Sequence, residues 1–144
     1  IGKWSLVCAL PASHPLAARR RVPLALAVRE PLIVYSPEAP QSAVIEGWLA
    51  RHRVRARPAL TVRSGYSACA LAAAGAGLAF VDDLSARAHR SEGVAFRDIV
   101  RAPSFPVFVA YPGLRPPSRA GRELLDGFER ELQALQREPV HAGA

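Results

Sequence analysis

Between Pro31 and Val81 the chain alternates three short apolar runs with two segments of helical character, and nothing else in it constrains the fold as tightly. "PLIVY" (Pro31–Tyr35), "ALTVR" (Ala59–Arg63) and "LAFV" (Leu78–Val81) have the length and composition of buried strands. Between them, Gln41–His52 sets Val44, Ile45, Trp48 and Leu49 on one helical stripe, and the alanine-rich stretch Ser64–Ala74 has the composition of a helix. A βαβαβ order with continuous apolar strands implies a parallel sheet covered by helices. Half of the 144 residues are apolar, enough to furnish such a core.

The flanks extend this unit. Leu6–Leu10 is an apolar strand stopped by Pro11, and the prolines of "PASHPLAARRRVP" predict a long connection after it. Beyond Val81, Asp82 or Asp83 can cap a short helix running to Ala88, "SEG" (Ser91–Gly93) makes a turn, and Val94–Ile99 and Pro106–Tyr111 are two further strands. "PGLRPPS" then breaks the chain before a long helix with Ser118 as its N-cap and Leu124, Leu125, Phe128, Leu132 and Leu135 as its apolar face. The tail after Pro139 is expected to fray.

The glycines of "SACALAAAGAGLAFVDD" (Ser67–Asp83) invite comparison with a phosphate-binding loop, which needs the order strand, glycine loop, helix. Here the helix comes first, so Gly75 stands where a left-handed residue ends a helix and Gly77 leads into a strand. The electronegative helix C-terminus would repel phosphate. Ligand chemistry is therefore expected at the other edge, beyond the carboxyl ends of the strands. There the first strand ends at Tyr35-Ser36, the second at Arg63-Ser64-Gly65-Tyr66 and the third at Asp82-Asp83. Helix N-termini near Gln41 and Tyr66 favour an anion, and the aspartates favour a cation, a combination that suits a zwitterion such as an amino acid. Taken singly, Ser36, Ser64 and Asp82 also read as ordinary caps and turn formers.

Other chemistries find less support. Cys8 and Cys69 lie in apolar runs as small buried hydrophobes, and the four histidines (His14, His52, His89, His141) show no metal spacing, so neither metal nor cofactor is expected. Ser36, Ser64, His89 and Asp82 could be assembled into a triad, but there is no G-x-S-x-G elbow. The net charge of +7 is carried almost wholly by arginine, and its densest cluster, "RHRVRARP" (Arg51–Pro58), reads as a solvated helix end and loop before it reads as a DNA contact. With no apolar run long enough for a bilayer and no secretory pattern at Ile1, a cytoplasmic protein without a membrane partner is expected. The chain contains no methionine, so its natural start is expected to lie upstream.

Four segments in order resemble the effector-binding domain of LysR-type transcriptional regulators: "LVCALPASHPLAARRRVPL" (Leu6–Leu24), "EPLIVYSPEAP" (Glu30–Pro40), "SACALAAAGAGLAFVDDLSA" (Ser67–Ala86) and "FPVFVAYPGLRPPSRAGRELLDGF" (Phe105–Phe128). The resemblance implies a periplasmic-binding-protein-like α/β fold with a parallel-rich sheet and helices on both faces. One subdomain would be complete (residues 31–105), and residues 1–30 with the return strand and helix of 106–138 would belong to a second, followed by a disordered tail (139–144). It implies a small-molecule effector, amino acid-like, held by Tyr35, Ser36, Arg63, Ser64, Gly65, Tyr66, Phe80 and Asp82. It further implies a homo-oligomer and DNA binding only through a helix-turn-helix absent from this chain. The form with Asp82 and Asp83 is similar to members that respond to amino acids and opines. A free-standing solute-binding protein and a small α/β hydrolase are the alternatives.

Overall fold

The computed structural model describes residues 1–89, 92–110, 116–137 and Val140. Seven strands form one sheet. They are β1 (Gly2–Pro11), β2 (Arg21–Val22), β3 (Leu32–Tyr35), β4 (Pro58–Val62), β5 (Leu78–Asp82), β6 (Val94–Ile99) and β7 (Ser104–Val107). The helices are α1 (Leu24–Ala27), α2 (Pro40–Arg51), α3 (Gly65–Ala73), α4 (Asp83–Ala88) and α5 (Arg119–Arg137). The strand order is β2-β6-β1-β5-β3-β4, with β7 paired to β1.

The βαβαβ unit expected from the sequence is present as β3-α2-β4-α3-β5, with β3 parallel to both β4 and β5. The sheet as a whole is mixed, because β1 runs antiparallel to β5, β6 and β7 at its centre. That strand spans ten residues where its apolar run suggested five, since the run records only the part buried on both faces. Leu6–Leu10 sits between β5 and β6, while Gly2–Ser5 pairs with β7. β7 covers Ser104–Val107 where Pro106–Tyr111 was expected. It ends where its partner begins, at the Gly2–Val107 pair closed by the Ile1 amino group on the Val107 carbonyl at 2.9 Å, and Tyr111 lies outside the described residues. The proline-rich connection also carries more structure than expected: a 3-10 turn at Pro15–Ala18, the short β2 and α1. His14 holds that turn by accepting the Leu16 N–H on Nδ1 at 3.1 Å, the work of a turn residue.

β5 is buried along its whole length, which requires cover on both faces. Phe80 meets α2 edge-on through Trp48, at 5.3 Å between ring centroids. On α3, Ala68, Cys69 and Ala72 are fully buried; their small side chains let the helix lie close against β1, β5 and β6. Its end is a Schellman turn. Ala76 N–H bonds Leu71 C=O, Gly75 N–H bonds Ala72 C=O, and Gly75 takes φ +80°. Gly77, at φ +148°, passes so close to β3 that a Cβ there would lie 2.6 Å from the Pro31 carbonyl oxygen. Both glycines therefore work as the order of elements required, stopping a helix and starting a strand.

The basic cluster is also a helix end and loop. Arg51, Arg53, Arg55 and Arg57 are exposed, while Val54 and Ala56 turn inward, and Arg53 takes the left-handed φ of +55° just past α2. At the other end of the chain, α5 is strongly amphipathic but rests on the sheet through few residues. Leu132 is buried and Gln136 donates to the Lys3 carbonyl at 2.6 Å, whereas Leu124 and Phe128 are 69% and 58% exposed. Ser118 caps it, accepting the Gly121 N–H at 3.1 Å.

Candidate functional site

Because β3, β4 and β5 are parallel, their carboxyl ends share one edge of the sheet, and the antiparallel β1 brings Leu6 opposite Asp82 at that edge. β3 delivers Tyr35 and Ser36 there. The Ser36 N–H donates to the Val62 carbonyl at 2.8 Å, which fixes the end of β3 against that of β4. The side chains of this junction are left over: the Tyr35 hydroxyl, the Ser36 Oγ and the Gln41 Oε1 are all buried without a hydrogen-bonding partner. Buried polar groups in folded proteins are nearly always paired, so three orphans within residues 35–41 single out this junction as a candidate site. Burial raises the Tyr35 phenol well above its ordinary range, and the negative charge of Asp82 raises it further. It stays a neutral donor at any physiological pH.

The β4 end supplies the start of α3. Ser64 is its N-cap, accepting the Ser67 N–H at 3.2 Å and exchanging a hydrogen bond with the Ser67 hydroxyl at 3.0 Å. Arg63 and Tyr66 are exposed, Tyr66 at 64%, with its ring edge-on to that of His89 at 5.1 Å. Gly65 is buried, and a Cβ there would stand 2.7 Å from the Ser85 Cβ and 3.3 Å from Asp82 Oδ2, so the first turn of α3 abuts the Asp82 carboxylate. Asp82 itself is 8% exposed and caps α4, accepting the Ser85 N–H at 2.7 Å and the Ser85 hydroxyl at 2.8 Å.

The expected site residues thus divide. Tyr35, Ser36, Ser64, Gly65, Tyr66 and Asp82 stand at the carboxyl edge, and Arg63 sits beside them, turned to solvent. Phe80 is 3% exposed, lies deeper and faces α2. Asp82 and Asp83 do not act together on one cation: Asp83 turns the other way and accepts the Ser5 N–H at 3.2 Å, with burial raising its carboxyl above the ordinary value. Nor does the imagined triad assemble, since Ser64 is engaged with Ser67 and both ring nitrogens of His89 lack a hydrogen-bonding partner. Two contributors escaped the sequence reading. Ser85 was hidden inside a six-residue helix, and the Gln41 side chain was hidden behind the role of its helix end, though its place directly after Pro40 at a helix start was a usable signal.

Two cavities adjoin this edge. One, of 160 Å³, runs between α2 and β3 and includes both Tyr35 and Phe80 in its lining. A wider one, of 440 Å³, lies on the far side of β1 at the ends of β6 and β2; its charged groups include Arg21 and Asp98, which face each other at 3.8 Å.

Comparison with known proteins gives these features a family context. A family model described as the LysR substrate binding domain matches residues 1–133. The transcriptional activator protein LysR of Escherichia coli (strain K12) is 29% identical over 128 residues, which are 89% of this chain and 40% of that protein. Among solved structures, the CcmR regulatory domain of Synechocystis PCC6803 in complex with 2-PG superposes with a TM-score of 0.72 at 18% identity, over 90% of this chain and 63% of that one. The effector-binding domain of QuiR in complex with shikimate superposes with a TM-score of 0.66, also at 18% identity, over 90% of this chain and 61% of that one. The chain therefore spans less than two thirds of the length of each.

Proposed function

The chain belongs to the LysR substrate-binding-domain family, and from that premise we propose that it is the effector-sensing part of a LysR-type transcriptional regulator, binding an anionic or zwitterionic, amino acid-like metabolite at the carboxyl edge of β3, β4 and β5. The observation that carries the reading is the set of unpartnered buried groups at Tyr35, Ser36 and Gln41 beside the capped start of α3. A carboxylate would meet the free N–H groups of the first α3 turn and the Tyr35 hydroxyl. An ammonium would meet the spare lone pairs of Asp82, whose carboxylate is already held in place by Ser85. The start of β1, which pairs with β7, and segment 106–138 would contribute to a second subdomain that closes over the ligand, whereas Leu6–Leu10 and β2 are built into the sheet that carries the site.

Binding would then bias the arrangement of subunits in a cytoplasmic homo-oligomer and, through a helix-turn-helix outside this chain, its hold on DNA. The ligand can shift that balance only by the difference of its affinities for the two arrangements. A thermal-shift screen of amino acids and opines on the purified protein tests the ligand class. A true effector at a hundred times its dissociation constant stabilises by about 2.7 kcal/mol, and a flat profile across acidic, basic and neutral members would falsify it. For any hit, Asp82→Asn should weaken binding by on the order of 1 to 3 kcal/mol; unchanged affinity removes Asp82 from the site.

A further inference from the structure

The 160 Å³ cavity between α2 and β3 is lined by Ile33, Tyr35, Ile45, Leu49, Ala56 and Phe80, among others. Ser42 and Glu46 also reach it: the buried Ser42 hydroxyl donates to the Glu46 carboxylate at 2.7 Å, and Glu46 itself is exposed to solvent. The one lining group with an unmet hydrogen bond is the Tyr35 hydroxyl. Close packing leaves few voids larger than a water molecule. A largely apolar pocket of this size, roughly that of a benzene site, gives a water deep inside it few polar partners, so an apolar guest can take its place. Tyr35 and Phe80 link this void to the candidate effector edge, since Tyr35 ends β3 and Phe80 lies two residues before Asp82.

We propose that this cavity is the specificity chamber of the effector site, accepting the compact apolar side chain of the ligand, branched aliphatic or phenyl, while the charged head stays at the strand ends. The inference rests on the amino acid-like effector read above and adds to it the class of side chain. It explains why Phe80 is placed deep against Trp48: it forms a wall of the chamber and never touches the charged head. A long cationic or acidic side chain finds no charged partner deeper than the Glu46 carboxylate, which is exposed to solvent at the mouth.

Calorimetry on the purified protein with leucine, phenylalanine, glycine and arginine tests this, alongside Ala56→Leu, which fills the chamber from a half-buried position remote from the charged edge. The expected result is that leucine or phenylalanine binds at least tenfold more tightly than glycine or arginine, and that Ala56→Leu removes this preference while leaving glycine unchanged. A preference that survives Ala56→Leu, or glycine or arginine binding as tightly as leucine, overturns the chamber. Should Ala56→Leu not fold, Ala56→Val gives the same comparison. If no amino acid binds at all, the effector class of the preceding section fails, and benzene probes the chamber alone. A rise in melting temperature that benzene produces in the wild type and not in the filled variant supports it, and no rise in the wild type overturns it.

Discussion

Helices α3 and α5 invert the usual relation between pattern and burial. α3 is alanine-rich on every side, with no clear polar face, yet Ala68, Cys69 and Ala72 are fully buried. α5 has a textured apolar stripe across nineteen residues, yet only Leu132 on it is buried and Phe128 is 58% exposed. Amphipathic spacing says that a face is meant to be covered; it does not say by what. Small residues, in contrast, specify how near a helix may come, and α3 uses that nearness to place its N-terminus beside Asp82.

Thiol chemistry offers the sharpest test of this contrast. Burial pushes both Cys8 and Cys69 up to about 12 from an ordinary 9.0, so the thiolate that reacts with alkylating reagents is roughly a thousandfold scarcer than in an exposed cysteine. Alkylation in native buffer should be slower by at least that factor and become fast on denaturation. Rapid native labelling of Cys69 would show α3 standing off the sheet. Next in size, Ala68→Leu forces three additional heavy atoms into a fully buried site and should cost about 3 kcal/mol in chemical denaturation. A cost below about 1 kcal/mol would mean that α3 is as loosely seated as α5. Phe128→Ala, the mirror experiment, should change stability by less than about 0.5 kcal/mol; a core-sized loss would show that its face is covered in solution.

The smallest effect concerns Asp83. Its carboxyl is raised by burial, so the folded state favours the protonated form. The associated stability is fully present below the unfolded value and is lost as pH rises through the folded one. Asp83→Asn keeps an acceptor for the Ser5 N–H and removes the charge. Its melting temperature should match the wild type at about pH 3 and lie slightly above it at about pH 7, and the reverse order would place Asp83 in a favourable ion pair.

Local rules carried the sequence reading far. The glycine stop at Gly75, the caps at Ser64, Asp82 and Ser118, and the turn at His14 all follow from residues within five positions of one another, and the strands and helices of the parallel unit from their own apolar runs. What escaped was set by distant pairing. No local pattern announces that β1 runs against its neighbours or that β7 stops where Gly2 stops, because both depend on partners some eighty to a hundred residues away. The site followed the same division. Strand ends located Tyr35, Ser36 and Asp82, but the opposite turns of Asp82 and Asp83, and the retreat of Phe80 into the cavity wall, depend on side-chain packing.

The central position of β1 also dictates an order of assembly. Its partners at Asp82 and Asp98 are made long after Leu6 and Val7, so β1 must wait for most of the other described strands before it can be seated. Until β5 and β6 exist, a run of apolar side chains has no sheet to enter, while β3, α2 and β4 can close on one another from near neighbours. Contacts of such large sequence separation slow folding and prolong the exposure of unpaired edges. The strand that splices the two halves of the sheet is therefore also where the newborn chain is most exposed to aggregation.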